Sequence, residues 1–471
     1  MSGKIGLSCA QLLQLLTNAL RRLDQASVLA SLFLVYGMLA VLTWAVVTPP
    51  FQNVDEVSHL MRAEAVSRLV LVSPHEAVMP APPNAKTGIY ASAAPMSYVR
   101  ADPAHRVTTA LLDAAGRVGW GLPVPGGYAN TAVYPPFLYG PASVTIKLSK
   151  VTGFSVTRTL YAARLVTGAV AVTLAFGAVA LAGPAAPVLF AMLALPMTFA
   201  LMGSPSQDAI MLPLAAFLAA LMVRVMQAEF TSRRAFVGIC VGLTVIAAAR
   251  PPYACLGLLM LILPGPSLTA RTAGAAIVGA VAIGWSLIAA NVTGLLPLPG
   301  TDAPAQFRGV VADPIRALLV PARTLWLKGG FLAKAFIGIL GWLDVELPHW
   351  FYPLAWAQLI VAAGLVASRL QARPLPWSDR AWSGLAAFGS VAGIFTTQYL
   401  ACTPPGAPVV DGLQGRYFLP IALLLVTQLP GLPVPRPGSS LRLLALVLVV
   451  GFPLLSIVVT TRALVLRYYL T

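Results

Sequence analysis

Charged residues are scarce in this sequence: Asp, Glu, Lys and Arg make up 10% of its 471 residues, whereas hydrophobic residues make up 58%. Soluble globular chains carry about 25% charged residues, so the composition excludes an ordinary soluble protein and indicates that lipid covers the excess apolar surface. Cysteine is also rare. Because the four cysteines have no metal-binding spacing and the predicted topology puts only one of them outside the cytoplasm, we expect neither a disulfide nor a zinc site; they are Cys9, Cys240, Cys255 and Cys402.

Acidic residues are the scarcer charged class, with 15 Asp and Glu against 31 Lys and Arg and a formal net charge of +16. The basic residues are spread through predicted loops and helix ends rather than gathered in one patch, which argues against a nucleic-acid partner. Membrane topology and anionic lipid or phosphate ligands account for the basic excess better.

Long apolar runs recur from Ala26 to the C-terminus. A helix of roughly 17 to 25 apolar residues crosses a hydrocarbon core of about 30 Å, and these runs lack the alternation of a membrane β-barrel. The sequence therefore predicts an all-α, polytopic membrane protein with about 11 transmembrane helices, in a range of roughly 10 to 13. The predicted spans are 26–47, 160–182, 186–203, 207–226, 234–250, 252–266, 272–293, 351–369, 382–400, 416–431 and 441–461.

The orientation follows from the basic residues near the first span. Lys4, Arg21 and Arg22 precede it, so the positive-inside rule places residues 1–25 in the cytoplasm. The apolar run 26–47 is too long for a signal-peptide core and no clear cleavage site follows, which favours a retained anchor over a cleaved signal. Alternating the spans then places these arginines inside: Arg224, Arg233, Arg234, Arg271, Arg369, Arg373, Arg380, Arg436 and Arg442.

Residues 48–158 are polar and rich in Pro and Gly, and we interpret them as a large external loop before the multi-helix domain 159–471. Within the loop, Val54–Val72 has apolar residues at helical spacing and predicts an amphipathic helix lying on the membrane surface. The short apolar piece Phe137–Ile146 predicts another interfacial or partly embedded helix. The run Phe331–Leu343 is consistent with a re-entrant segment.

Charges near membrane depth are costly, so those that persist are candidate functional residues. The predicted topology collects Asp55, Glu56, Asp208, Asp344 and Arg416 on the external side. Two interpretations of the first pair stay open. In one, Glu56 completes a capping box at the start of a helix; in the other, Asp55 is a general base, with a histidine one turn away to bind or orient a substrate.

Each remaining candidate also has two interpretations. Asp208 either caps the helix that it begins or belongs to the external site. Arg416 and Arg250, at two helix junctions, either hold a phosphate or extend toward the interface as ordinary membrane-flanking arginines. The substrate-binding candidates are His59, Arg62, Asp208, Arg250, Asp344, Gln414, Arg416 and Tyr417.

Several motifs in order along the chain resemble the bacterial membrane-protein family called domain of unknown function 2142. They are Pro49-Pro50 with Asp55-Glu56-Val57-Ser58-His59, Tyr134-Pro135-Pro136, Ser204-Pro205-Ser206-Gln207-Asp208-Ala209, Arg250-Pro251-Pro252-Tyr253, Gly341-Trp342-Leu343-Asp344 and Gln414-Gly415-Arg416-Tyr417-Phe418-Leu419-Pro420. The sequence departs from the family pattern in having Gln207 before Asp208 and arginine rather than lysine at position 250.

The family resembles the GT-C glycosyltransferases, which pass a sugar from a polyprenyl-phosphate carrier to an acceptor outside the cytoplasm. The resemblance implies that Asp55, with Glu56 beside it, serves as base or metal ligand, and that Asp208 is a second acidic site. It implies a bacterial cytoplasmic membrane, an active site facing the periplasm or exterior, and a cell-envelope glycan or lipid as acceptor. A divalent cation, Mg²⁺, Mn²⁺ or Ca²⁺, between Asp55 and Asp208 fits such oxygen ligands.

Two other function classes remain open from the sequence. A transporter or flippase of lipid-linked saccharides would need charged residues along a pathway between both faces, and the absence of an obvious internal repeat disfavours an inverted-repeat transporter. A non-enzymatic partner in envelope assembly would use the external loop as a docking surface. In that case the loss of Asp55 would have little effect.

Overall fold

The computed structural model describes residues 25–470 apart from 81–85, 123–125, 295–298, 370–374, 430, 431, 433 and 436. Residues 1–24 and the predicted inside residues Arg373 and Arg436 lie outside the described residues. The α-helices are α1 Ala26–Val47, α2 Glu56–Ser67, α3 Gly88–Ala93, α4 Ser97–Ala101, α5 Thr109–Gly116, α6 Ala129–Ala132, α7 Gly140–Val151, α8 Val156–Leu181, α9 Ala186–Leu193, α10 Pro196–Met202, α11 Asp208–Gln227, α12 Arg233–Ala249, α13 Leu268–Val292, α14 Ala303–Ala312, α15 Pro314–Gly338, α16 Phe351–Arg369, α17 Trp377–Cys402, α18 Leu419–Leu424 and α19 Ser439–Tyr468.

Shorter elements connect these helices. The 3₁₀ segments are His75–Val78, Ala94–Met96, Phe137–Tyr139, Gly183–Ala185, Pro251–Ile262, Gly415–Phe418 and Leu425–Gln428. The two strands, β1 Ile339–Leu340 and β2 Val345–Glu346, pair antiparallel with Ile339 opposite Glu346. They form a hairpin directly after α15, where the sequence suggested a re-entrant segment.

Among the described residues, seven helices are long and apolar enough to cross a membrane: α1, α8, α11, α13, α16, α17 and α19. A helix pair, Gly183–Leu193 and Pro196–Met202, is bent by 81° and makes an eighth span if it crosses as one unit. The bend falls where Pro196 begins the second helix, since proline lacks the N–H that would continue the first. The predicted polytopic α-helical membrane protein is therefore confirmed.

The other three predicted spans are shorter segments. The span at 234–250 is the 17-residue α12, the span at 252–266 is a 12-residue 3₁₀ segment, and the span at 416–431 consists of short helical turns. At about 1.5 Å per residue in an α-helix and about 2.0 Å in a 3₁₀ helix, the first two are each about 25 Å long. The count of long apolar helices is lower than the predicted count of 11 because α12 and the 3₁₀ segment are too short and the stretch 416–431 is divided into short turns.

Contacts at their ends show that these short segments still run between the two ends of the helical bundle. The side chain of Arg250, after α12, pairs with Asp208 at the start of α11. At the other end, Arg271 donates a hydrogen bond to Leu261 O, and Arg380 donates one to Gln428 O. We call the end of the bundle that carries Asp55 and Asp208 the site end.

Helix α8 packs against both α1 and α11. Gly168 of α8 allows the close approach to α1, because a Cβ there would collide with Val41. Small residues at such contacts are typical of helices packed in membranes. This packing brings the C-terminal end of α1, and the loop that follows it, against α8.

The loop 48–158 folds onto the site end as a layer of short helices. The helix predicted within Val54–Val72 is confirmed as α2, but the expected surface position is wrong, since both its apolar Leu60 and its polar His59 and Arg62 are buried. The predicted piece at 137–146 is a 3₁₀ turn followed by α7. Polar residues of α2 therefore face protein, where they can only persist with hydrogen-bond partners.

Candidate functional site

Two ion pairs lie close together at the site end. Arg416 Nη2 is 3.1 Å from Asp55 Oδ2. Arg250 Nη2 lies 2.9 and 2.8 Å from the two carboxylate oxygens of Asp208. Four separate segments of the chain supply these residues, and all four charges were candidates from the sequence.

One aromatic ring joins the two pairs. The guanidinium carbon of Arg250 is 4.4 Å from the ring centre of Tyr417, and that of Arg416 is 5.6 Å from the same ring. Tyr253 Oη donates a 2.7 Å hydrogen bond to Tyr417 O and fixes the backbone beneath the ring. The attraction between a cation and the face of an aromatic ring helps to hold both guanidiniums in place, and the substrate-binding role of Tyr417 stays a prediction.

His59 forms the buried floor of the site. Its Nδ1 is 2.7 Å from Tyr139 Oη, and its ring stacks on Tyr134 with centres 6.2 Å apart. Burial lowers the pKa of His59 to about 4, and the charges of Asp55 and Asp208 raise it only in part. The ring is therefore neutral near pH 7 and can orient a polar group, but it is not a cation there. Burial also raises the pKa of Tyr134 to about 12.

Asp55 has a strained backbone, with φ 58° in the left-handed region. Asp tolerates this region better than most residues do, and such outliers cluster at functional sites. Asp55 precedes α2 but its side chain caps nothing; instead Oδ1 accepts a 2.9 Å hydrogen bond from Asn130 and Oδ2 faces Arg416. The side chain of Asp55 is thus held away from α2 and beside Arg416.

The capping-box interpretation is wrong. Helix α2 begins at Glu56 without a side-chain cap, and Asn53 instead donates a 3.0 Å hydrogen bond to Glu56 Oε1. Asp208 makes no side-chain cap on α11, and both of its oxygens accept from Arg250, but it lies in the first turn of that helix, as the dipole interpretation requires. The favourable helix dipole at the start of α11 remains.

Glu56 lies in a second layer behind Asp55, in a fully buried ion pair with Arg164 of α8. The guanidinium donates to both carboxylate oxygens at 2.7 and 2.6 Å and to the carbonyl oxygens of Ala45, Thr48 and Pro49. Both side chains have no exposed surface. Sequence reasoning missed Arg164, although a lone arginine within an apolar run is itself a signal of such a role.

Two predicted substrate-binding residues have other partners. Arg62 uses all three of its nitrogens on backbone carbonyls of Val70, Leu71 and Tyr134 at 2.6–3.0 Å, so it fixes the loop that carries Tyr134. Asp344 is bound by Arg467 Nε at 2.6 Å. The structure thus gives Arg62 a positioning role, and it places Asp344 in the β1–β2 hairpin rather than at the paired charges.

Several buried polar atoms in the site have no hydrogen-bond partner among the described residues. They are the Nε atoms of Arg250 and Arg416 and the side-chain oxygen of Gln414. Gln414 and Arg416 also line a small cavity together with Asn53 and Gly341. A buried unpaired donor is costly, and two guanidinium N–H donors in one site suit an oxyanion such as a phosphate.

The arrangement does not fit a resident divalent cation. Asp208 is already neutralised by Arg250, and Asp55 by Arg416 and the Asn130 amide. Within the part of the chain that the structure describes, no three His, Cys, Asp or Glu side chains form a metal-binding group. The cation between Asp55 and Asp208 stays a prediction for experiment, and no chemical step is assigned to it.

The fold and these paired charges define a polytopic helical membrane protein with a polar site buried at one end of its helices. Over residues 38–425 the chain matches the family described as "Predicted membrane protein (DUF2142)". The chain belongs to this family, as the ordered motifs predicted. The comparisons with curated proteins and with solved structures gave no match.

Proposed function

We propose that this protein is a membrane glycosyltransferase of the GT-C type, which moves a sugar from a polyprenyl-phosphate donor to a cell-envelope glycan or lipid acceptor. The observation that carries the proposal is the pair of guanidiniums on Tyr417, each with a carboxylate partner and with an Nε–H that has no partner among the described residues. Such a site can take up a phosphate by exchanging its internal carboxylates for phosphate oxygens.

That exchange also supplies the base. When phosphate oxygens bind Arg416, the carboxylate of Asp55 is released from its ion pair at the same point. Asp55 then accepts the proton of the acceptor hydroxyl while that oxygen attacks the anomeric carbon, and the bond from the carbon to the phosphate oxygen breaks. The leaving lipid phosphate keeps the bonding electrons, and Arg416 and Arg250 stabilise its charge.

The predicted orientation is part of the proposal. Arg224 near the end of α11, Arg233 at the start of α12 and Arg271 near the start of α13 flank short connections at the end opposite the site. By the positive-inside rule this end faces the cytoplasm. The site end then faces the periplasm or exterior of a bacterial cytoplasmic membrane, where envelope acceptors are found.

The distribution of buried charge favours an enzyme over a transporter. Among the described residues, the buried Asp, Glu, Lys and Arg all belong to the loop layer or the site end: Glu56, Arg62, Glu64, Arg164, Asp208 and Arg416. A pathway for a charged substrate would also need ionisable groups deeper in the bundle. Catalysis at one face of the membrane needs buried charged residues only at that face.

The test is sugar transfer by the purified protein in lipid nanodiscs, from a panel of polyprenyl-phosphate sugars to candidate acceptor glycans and lipids. We expect Asp55→Asn to lower the rate by about 10²–10⁴-fold, as loss of a general base does, while the variant still folds at the assay temperature. The matched control Asp113→Asn, at an exposed position in α5, should transfer at the wild-type rate. EDTA should leave the rate unchanged, because Arg416 and Arg250 supply the positive charge.

Unchanged transfer by Asp55→Asn would remove the assignment of the base. If the wild type transferred nothing across a broad panel, the enzyme proposal itself would fail in favour of transport or assembly. Loss of activity in EDTA that Mg²⁺, Mn²⁺ or Ca²⁺ restores would show that a cation acts at the two carboxylates after all.

A further inference from the structure

A second cleft, of about 350 Å³, is lined by residues of the loop layer and of the β1–β2 hairpin. Three segments contribute to its lining: Phe51, Gln52, Val57 and Ser58, which flank Asp55 in sequence; residues of the segment 90–100; and Trp342 of the β1–β2 hairpin. Its volume falls in the range of small-molecule sites, about 300–1,000 Å³. Asp55 does not line the cleft itself, but it lies between the lining residues Gln52 and Val57 in sequence.

The cleft contains a buried polar atom without a partner. Gln52 is 1% exposed and donates through Nε2 to Met96 O at 3.1 Å, whereas its Oε1 accepts no hydrogen bond among the described residues. A buried acceptor of this kind is costly unless a ligand or water donates to it. Gln52 therefore indicates a ligand with a hydroxyl or N–H group.

The opposite wall combines an aromatic ring with a cation. The guanidinium carbon of Arg100 is 4.6 Å from the ring centre of Trp342, and Trp342 Nε1 donates to Phe51 O at 3.1 Å. Arg100 is exposed and, within the described residues, makes no hydrogen bond or ion pair. Its N–H donors are available to a ligand, while the indole is fixed against the first wall.

Arg467 joins the β1–β2 hairpin, which carries Trp342, to the segment 90–100. Its Nε binds Asp344 Oδ2 at 2.6 Å and its Nη2 donates to Val99 O at 2.8 Å, so it joins the hairpin to the segment before Arg100. Asp344 Oδ1 in turn accepts from the backbone N–H of Trp342 at 2.9 Å. Asp344 is thus a positioning residue for this cleft, which accounts for its buried partner.

We propose that this cleft binds a saccharide and, given the proposed function, that it is the acceptor subsite. A sugar ring has an apolar face for the indole of Trp342, hydroxyl donors for Gln52 Oε1, and hydroxyl or carboxylate acceptors for Arg100. An acyl chain would leave the Gln52 acceptor unsatisfied. Calling the cleft the acceptor subsite rests on the proposed function, whereas the proposal that it binds a saccharide does not.

The test is saturation-transfer NMR on the protein in nanodiscs, with methyl glycosides of common hexoses, pentoses and deoxyhexoses as probes. We expect at least one probe to receive saturation on its ring protons with the wild type. Ala94→Trp, which fills the cleft from its exposed rim, should abolish the signal, and Trp342→Leu should weaken binding by about two- to tenfold. The matched control Ala114→Trp, exposed on α5, should bind as the wild type does.

Equal signals from wild type and Ala94→Trp, or no signal with any probe, would overturn the proposal. Asp55→Asn separates the two hypotheses, because it should keep saccharide binding while losing transfer. If the wild type binds a glycoside in the cleft but transfers no sugar, saccharide binding stands and the glycosyltransferase proposal fails. If transfer occurs and Ala94→Trp leaves it unchanged, the acceptor lies elsewhere and this inference fails alone.

Discussion

Replacing Arg164 with methionine would leave the carboxylate of Glu56 buried without a counter-charge. The guanidinium makes five hydrogen bonds of 2.6–2.9 Å, two to Glu56 and three to the carbonyls of Ala45, Thr48 and Pro49. Breaking a buried pair by removing one partner costs about 3–5 kcal/mol. We expect Arg164→Met to lower the free energy of unfolding by that amount, at the upper end because the carbonyls also lose their donor.

A double-mutant cycle measures the interaction energy between Glu56 and Arg164, with unfolding in mixed micelles driven by increasing SDS. Glu56→Met alone should cost about 3 kcal/mol or more, because it leaves the arginine buried and unpaired. The double variant should lose less than the sum of the two single variants, with a coupling of about 1–3 kcal/mol. Arg158→Met is the control, at an exposed position in the same helix α8, and should change stability by less than about 0.5 kcal/mol.

Two results would refute this reasoning. If Arg164→Met were as stable as the control variant, the pair would not hold α1 to α8. If the two single effects simply added, Glu56 and Arg164 would not interact as the geometry requires. Arg164→Lys is a finer probe, because lysine keeps the positive charge but lacks the planar guanidinium with its several N–H donors. This variant should recover only part of the free energy of unfolding that Arg164→Met loses.

Two further predictions concern stability. Because His59 is buried with a pKa of about 4, lowering the pH from 6.5 to 4 should destabilise the fold by up to about 3 kcal/mol, since in that window His59 protonates readily only in the unfolded chain. Unfolding midpoints of the wild type, measured against pH, should show this loss. A His59→Gln variant whose midpoint has the same pH slope as the wild type would contradict the prediction. Gly415→Ala should lower the unfolding midpoint, because the added Cβ would collide with the backbone of Phe336, whereas Gly279→Ala, with open space around it, should not; equal midpoints would refute this close approach.

Much of the fold was predictable because lipid imposes a strong pattern on sequence. Long apolar runs identified every described helix that is both long and apolar enough to span, and helical spacing of apolar residues identified α2, whereas the 25-residue but less apolar α15 was missed. The compact segments were harder: the 3₁₀ segment Pro251–Ile262 is as apolar as a true span, and only its length and hydrogen bonding distinguish the two. Proline positions were the available signal for these breaks.

The four paired charges could be selected from the sequence as candidates, but their pairings could not. Asp55, Asp208, Arg250 and Arg416 were found because charge is expensive near a membrane. Their partners could not be assigned, since 361 residues separate Asp55 from Arg416 and only the folded bundle brings them together. The capping box failed for a local reason, because the left-handed backbone of Asp55 starts the helix later than the motif implies.

The buried arginine of α8 also constrains how the chain enters a membrane. Every partner of Arg164 precedes it in sequence, in the end of α1 and the start of α2, and chains are synthesised from the N-terminus. An arginine placed alone within an apolar helix resists insertion by about 2.5–3.5 kcal/mol. The first helix and its loop must therefore remain beside the insertion site until α8 emerges, so that the carboxylate of Glu56 receives the arginine as that helix leaves the translocon.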